Sequence, residues 1–151
     1  MTKIAIGSDH AGFALKGEII NYLAEKKITY ADVGCYTEES ADYPLYANKV
    51  CHSVLSGECE MGVLLCTTGI GMSIAANRFK GIRAALCHSA RAALAARDHN
   101  DANILVMGAN AIATGQALEI CAVFLNTEFS SCEKHMRRLH MIDGGDIKRY
   151  E

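Results

Sequence analysis

Short apolar runs and helix-period segments alternate from one end of the chain to the other. The strand-like runs are 4–7, 28–33, 62–66, 82–87 and 103–108. At least three are almost wholly apolar, which suits strands covered on both faces. Between them, residues 11–26 space Phe13, Leu15, Ile19, Ile20 and Leu23 as one helical stripe, with Lys and Glu interleaved. Segments 43–56, 72–79, 89–98 and 114–126 read the same way, and a last helix over about 131–142 is basic on part of its surface. Such alternation predicts an α/β fold, with a parallel sheet of about five strands and helices on both faces. No repeat, low-complexity stretch or linker interrupts it, so one domain is expected over residues 1–151. The sole proline, Pro44, is placed at a helix start, where a missing N–H matters little.

Composition narrows the partners. Half of the 151 residues are hydrophobic and 21% are charged, as in an ordinary globular chain. A net charge of -2 offers no basic field for nucleic acid and no polybasic patch for an anionic membrane. The first residues pass straight into a strand-like run, unlike a signal peptide, and no apolar run approaches the roughly 18 residues that span a bilayer. The seven cysteines are odd in number, form no C-x-x-C pair and lie largely in apolar runs. They read as buried thiols in a reducing, cytoplasmic setting. Cys51-His52 and Cys87-His88 are adjacent pairs whose side chains diverge, whereas zinc ligands pair about two to four residues apart, so no metal is expected.

An open α/β sheet binds ligands at the carboxyl ends of its strands. The residues there are polar and specific: Ser8-Asp9-His10 after the first run, Thr67-Thr68-Gly69-Ile70-Gly71 after the third, and Gly108-Ala109-Asn110 after the fifth. The segment Cys66 to Ser73 is a strand end, a glycine turn and a helix start, where free N–H groups favour an anion. It has no P-loop lysine and no G-x-G-x-x-G, which speaks against a nucleotide. Cys66 is placed to act as base or nucleophile, or else is one more buried thiol. Asp9-His10 is part of a site or caps a helix, and His99-Asn100 is catalytic or structural. Lys134 and Arg138 share a helical face as a phosphate clamp or as a solvated basic surface. These residues alone indicate a small-molecule enzyme for an anionic, phosphorylated ligand.

The same residues resemble the type B ribose-5-phosphate isomerase family, which also holds galactose-6-phosphate isomerase subunits. The matching segments are 4–12, Asp42-Tyr43-Pro44, 66–77, Gly81-Ile82-Arg83-Ala84 and His99-Asn100-Asp101-Ala102-Asn103. They follow the family's order over nearly the whole chain. The resemblance implies a Rossmann-like αβα sandwich that forms a homodimer, with pairing of dimers into a tetramer left open, and active sites built from both subunits. It implies interconversion of ribose 5-phosphate and ribulose 5-phosphate without metal or cofactor. Carried over, Cys66 is the base between C2 and C1, Thr68 assists at the oxygens, and His99 opens the ring with Asp9 nearby. His10, Tyr43, Thr67, Gly69, Gly71, Ser73, Asn100, Lys134 and Arg138 are the substrate-binding positions, Arg137 competing with Arg138 for the phosphate.

The chemistry requires such types. A proton α to a carbonyl needs a base near neutral, the resulting charge falls on oxygen, and furanose opening suits histidine. Three departures from the family pattern stand out: Thr67 where glycine is common, Asn110 where arginine is frequent, and Lys134 in place of the first arginine of Arg-His-x-x-Arg. Lysine grips phosphate as a point charge only, so sugar preference and phosphate affinity are open to change. The alternatives are a hexose 6-phosphate isomerase for allose or galactose, or a non-catalytic phosphosugar-binding module.

Overall fold

The computed structural model describes residues 3–144; residues 1–2 and 145–151 of the expected domain lie outside the described residues. Eleven elements follow in order: β1 (Lys3–Ser8), α1 (Phe13–Glu25), β2 (Thr29–Asp32), α2 (Tyr43–Leu55), β3 (Met61–Cys66), α3 (Ile70–Ala76), β4 (Ala84–Leu86), α4 (Ala90–Asp98), β5 (Ile104–Gly108), α5 (Thr114–Asn126) and α6 (Glu133–Ile142). All strands are parallel, in the order β2-β1-β3-β5-β4. Every strand expected from the pattern is present. The two that come out shorter than expected, β2 and β4, are the sheet's edges, where a strand pairs on one side only.

Period-two alternation divides the apolar strand residues between two cores. Ile4, Ile6, Val63, Leu65, Leu105 and Met107 pack with Leu15, Ile19, Leu23, Ala93, Ile120 and Phe124 from α1, α4 and α5. Ala5, Leu64, Cys66, Ile104 and Val106 face Val50, Cys51, Met72 and Ala76 from α2 and α3. The result is a three-layer αβα sandwich, as expected. Cys66 thus ends β3 on the α2/α3 face. None of the helices among the described residues is long and apolar enough to cross a membrane.

Two helix boundaries differ from the periodicity. Helix α3 starts at Ile70, two residues early, because Gly69 turns with φ 78° and launches it. Helix α1 starts at Phe13, after a turn in which the Asp9 carboxylate accepts the Gly12 N–H at 3.0 Å. Pro44 sits in the first turn of α2 as expected.

Lys16, one of the lysines interleaved along α1, is buried. It is 2% exposed, and its Nζ donates to Asp32 Oδ1 and to the Cys35 carbonyl, each at 2.6 Å. Its ammonium also lies over the Phe13 and Tyr36 rings. A lysine in α1 thereby ties down the turn that follows β2. That segment runs on to Ala41, whose N–H donates to His10 Nδ1.

Helix α6 is held by two buried residues, His135 and Leu139. His135 Nδ1 pairs with Ser130 Oγ at 3.0 Å, and Ser130 in turn donates its N–H and hydroxyl to the Asp98 carbonyl. Desolvation lowers the pKa of His135, as do His99, Lys134 and Arg138 beside it, against an opposing pull from Asp98.

Breaking a buried ion pair strands a charge, whereas replacing the charge removes the problem. Asp32→Ala is therefore expected to destabilise the fold by about 3 kcal/mol and Lys16→Met by about 1 to 2 kcal/mol, read from urea midpoints. The reverse order would show that Lys16 is not held as a buried cation. The His135 contribution is complete above the ordinary histidine value near pH 6.5 and is lost as pH falls through the lower folded value. Between about pH 7.5 and 5.5 the Tm of the wild type should fall further than that of His135→Asn, and equal falls would remove His135 from the account.

Candidate active site

The chain leaves β1 for β2 on one side and reaches β3 on the other, so the carboxyl ends of β1 and β3 flank a topological switch point. Three loops meet there and are bonded to one another. Asp9 N–H donates to the Leu65 carbonyl at 3.2 Å, Ala109 N–H to Cys66 at 2.8 Å, and Asn110 N–H to Thr67 at 3.0 Å. Gly108 allows the closest of these approaches, since a Cβ there would lie 2.5 Å from the Thr68 carbonyl oxygen.

At this edge Cys66 is buried, and its Sγ accepts the Gly69 N–H at 3.2 Å. Among the described residues it is the only cysteine sulfur that receives a backbone N–H bond. Burial instead pushes the Cys51 and Cys121 thiols up to about 12 and Cys87 to about 11, which keeps them protonated and inert. Cys66 is therefore distinguished from the chain's other buried thiols by its setting. Thr68 is exposed beside it, with Oγ1 accepting the Ile70 N–H at 3.2 Å. Ser73 turns its hydroxyl back to the Ile70 carbonyl. Tyr43, at the start of α2, lies over Gly71: any Cβ on Gly71 would sit 2.6 Å from the ring. His10 is exposed, and Asp9 is buried and engaged with Gly12. One edge of the sheet thus gathers Asp9, His10, Tyr43, Cys66, Thr67, Thr68, Gly69, Gly71 and Ser73.

His99, Asn100, Lys134 and Arg138 are not at that edge. His99 caps the carboxyl end of α4, which runs back against the strands and leads into the amino end of β5. Cys66 is in register with Gly108, and Gly62 with Ile104, so four strand steps of about 3.3 Å, or about 13 Å, separate the two edges. Within one chain Asp9 therefore does not approach His99. Instead His99 Nε2 contacts Asp98 Oδ2 at 3.0 Å, and its ring lies 4.5 Å from the His135 ring. Lys134 and Arg138, one residue before and three after His135 on α6, both act to lower its pKa.

Sequence reasoning had assigned no role to Asp98, Ser130 or His135. The Asp98-His99 adjacency was visible, but the packing of α6 against the end of α4 is a tertiary fact. A groove of about 800 Å³ opens on this second edge, lined by Arg78, Ile82, Arg83, Asn100, Leu139 and Ile142 among others. It adjoins Asn100 and not Cys66. No three His, Cys, Asp or Glu side chains among the described residues converge on a metal-sized point.

Comparison with known proteins agrees with this fold. The chain is 40% identical over 149 residues to the ribose-5-phosphate isomerase B of Escherichia coli, covering 99% of each. It is 42% identical over 130 residues to a D-erythrulose-4-phosphate isomerase of Pectobacterium atrosepticum, covering 85% of this chain and 86% of that one. A solved structure of a ribose 5-phosphate isomerase from Thermotoga maritima superposes with a TM-score of 0.92 at 54% identity, covering 94% of this chain and 97% of the other. The Ribose/Galactose Isomerase family model matches residues 4–142, and on that match the chain belongs to this family of sugar-phosphate isomerases.

Proposed function

We propose that the protein is a cytoplasmic ribose-5-phosphate isomerase whose active site is completed between two copies of the chain. The observation that carries this reading is the Cys66 thiol at the switch point, met by the Gly69 N–H and flanked by Thr68. Ring opening comes first. His99, paired with Asp98, takes the proton from the anomeric hydroxyl and returns one to the ring oxygen, freeing the aldehyde. The Cys66 thiolate then removes the C2 proton, and charge builds on O1 as the enediolate forms. The turn from Thr67 to Ser73 holds that charge with backbone N–H groups, Thr68 exchanges protons at the oxygens, and the proton on Cys66 returns to C1. His10, Tyr43 and Asn100 grip the sugar hydroxyls, and Lys134 with Arg138 holds the phosphate.

The separation of the two edges supports the dimer. Most of the set lies at the carboxyl edge, while His99, Asn100, Lys134 and Arg138 lie at the amino edge of one rigid sheet, so on this reading a second copy supplies the missing part. Ile70 and Ile74 on α3, and Met136 and Ile142 on α6, are exposed apolar side chains near the two half-sites and suit burial between copies. Free thiols fit a reducing, cytoplasmic setting.

A second substrate reading has its own observation. Thr67 and Asn110, two departures from the family pattern, are bonded to each other through the backbone beside Cys66. That juxtaposition favours a sugar phosphate of different length, such as a hexose 6-phosphate, with the same proton transfer.

Purified protein treated with chelator should isomerise ribose 5-phosphate faster than allose 6-phosphate or galactose 6-phosphate, and Cys66→Ala should lose at least about a thousandfold in kcat. Preference for a hexose would move the substrate and keep the mechanism; a fully active Cys66→Ala would end the cysteine mechanism; sugar-phosphate binding without turnover would leave a binding module. Sharing between copies has a separate test. Cys66→Ala and His99→Ala chains, unfolded and refolded together in equal amounts, should regain about a quarter of wild-type activity in the aldose direction, because half the dimers are mixed and each has one intact site. No gain on mixing would place each site within a single chain.

A further inference from the structure

The amino-edge half-site rests on a charged network to which neither the chemistry nor the family resemblance assigns a function. Arg83, just before β4, uses its whole guanidinium on two elements. Its Nε donates to the carbonyls of Asn100 at 3.1 Å and Asp101 at 3.0 Å, and one terminal nitrogen pairs with Asp101 Oδ2 at 2.9 Å. The other terminal nitrogen pairs with Asp143 Oδ2 at 2.9 Å, at the carboxyl end of α6. The second Asp101 oxygen accepts from Arg97 at 2.8 Å, and Arg97 also holds the Ala102 and Thr127 carbonyls. Asp101 itself is left-handed, with φ 42°, a conformation that Asp and Asn tolerate better than other residues with a Cβ.

These bonds clasp the backbone directly after His99 and Asn100, and they anchor the same arginine to the helix that carries Lys134 and Arg138. We infer that Arg83 and Asp101 are positioning residues that fix the ring-opening histidine relative to the phosphate-holding helix. Arg83 touches neither sugar nor phosphate in this account. It sets the spacing between groups that do. Arginine is required because one planar fork must reach two carbonyls and two carboxylates at once, and a lysine ammonium has no such fork. The inference rests on the proposed role of His99, so the two need separable tests.

Ring opening offers the separation. Ribose 5-phosphate is almost wholly cyclic, whereas ribulose 5-phosphate stays open because its C5 oxygen carries the phosphate. An enzyme unable to open the ring must wait for spontaneous opening in solution. In the aldose direction its rate then stops rising with enzyme concentration and reaches a plateau, while the ketose direction continues to scale with enzyme. A merely structural lesion lowers both directions and produces no plateau.

The experiment compares wild type, His99→Ala, Arg83→Lys and Asp101→Asn over a wide range of enzyme concentration in both directions, with Tm and sedimentation recorded for each. Asp101→Asn keeps a side chain that accepts the left-handed backbone, so it should fold even if Arg83→Lys does not. The expected result is a plateau in all three variants, with an aldose-direction rate lowered between about tenfold and a hundredfold, and ketose-direction initial rates of Arg83→Lys and Asp101→Asn within about threefold of wild type. A plateau in His99→Ala without one in either network variant overturns the positioning role alone. A parallel fall in both directions with no plateau overturns it too, and marks the network as structural. Proportional rates in His99→Ala would overturn the ring-opening reading beneath it.

Discussion

Every strand of this sheet runs the same way, and that constraint governs where chemistry can sit. A parallel sheet has two unlike edges. At one, strands end and helices begin, so turns with free N–H groups collect there; at the other, helices end and strands begin. Cys66 with its glycine turn belongs to the first edge, and His99 at the end of α4 belongs to the second. No loop rearrangement within one sandwich bridges the roughly 13 Å of strand between them without breaking β5 from β3. In the proposed dimer a second copy brings a carboxyl edge and an amino edge face to face.

How much of this was legible in the sequence depends on which force decides each feature. Strand positions were readable because β1, β3 and β5 are buried on both faces and must be apolar throughout. The gathering of polar residues at the carboxyl edge was readable too, because the rule for open sheets selects the residues after β1 and β3 and the glycine turn makes them distinctive. The amino-edge half-site had no comparable signal. His99 and Asn100 at a helix end look like any polar loop, and their contacts with His135 and Arg83, like the bond from Ser130 to the neighbouring Asp98 carbonyl, span 17 residues or more in sequence. For a related reason Lys16 was not singled out. Its spacing in α1 is that of a solvated spacer, and only the return of Asp32 and Cys35 beneath the helix reveals a buried cation.

Burial gives the chain's thiols unlike surroundings. Cys51, Cys87 and Cys121 lie in apolar surroundings that disfavour a thiolate, so their sulfur behaves as a small hydrophobe. Cys66 is just as hidden from solvent but stands where a strand ends and a backbone N–H points at it. The difference lies in the backbone and not in the cysteine. Gly69, with its positive φ, turns the chain sharply enough for its own N–H to reach back to the sulfur three residues earlier. A side chain there would meet the Leu86 methyl at 2.4 Å as well as an unfavourable φ, so the site depends on a residue that has none.

A site divided between two edges makes a demand that a site within one chain does not. On the proposed dimer no covalent path corrects an error between the halves, so each must be stiff before they meet. Each edge carries a buried or half-buried cation that provides such stiffness. At the carboxyl edge Lys16 ties the β2 turn to α1, and that segment reaches His10; at the amino edge Arg83 ties the His99 loop to α6. In both cases the cation is spent mostly on backbone carbonyls and acidic side chains that fix a loop, not on a ligand. Surface ion pairs add little to stability, but a cation that bonds several groups of one loop restricts its geometry at each of them. The charges that matter most for assembling this site therefore include ones that never meet the substrate.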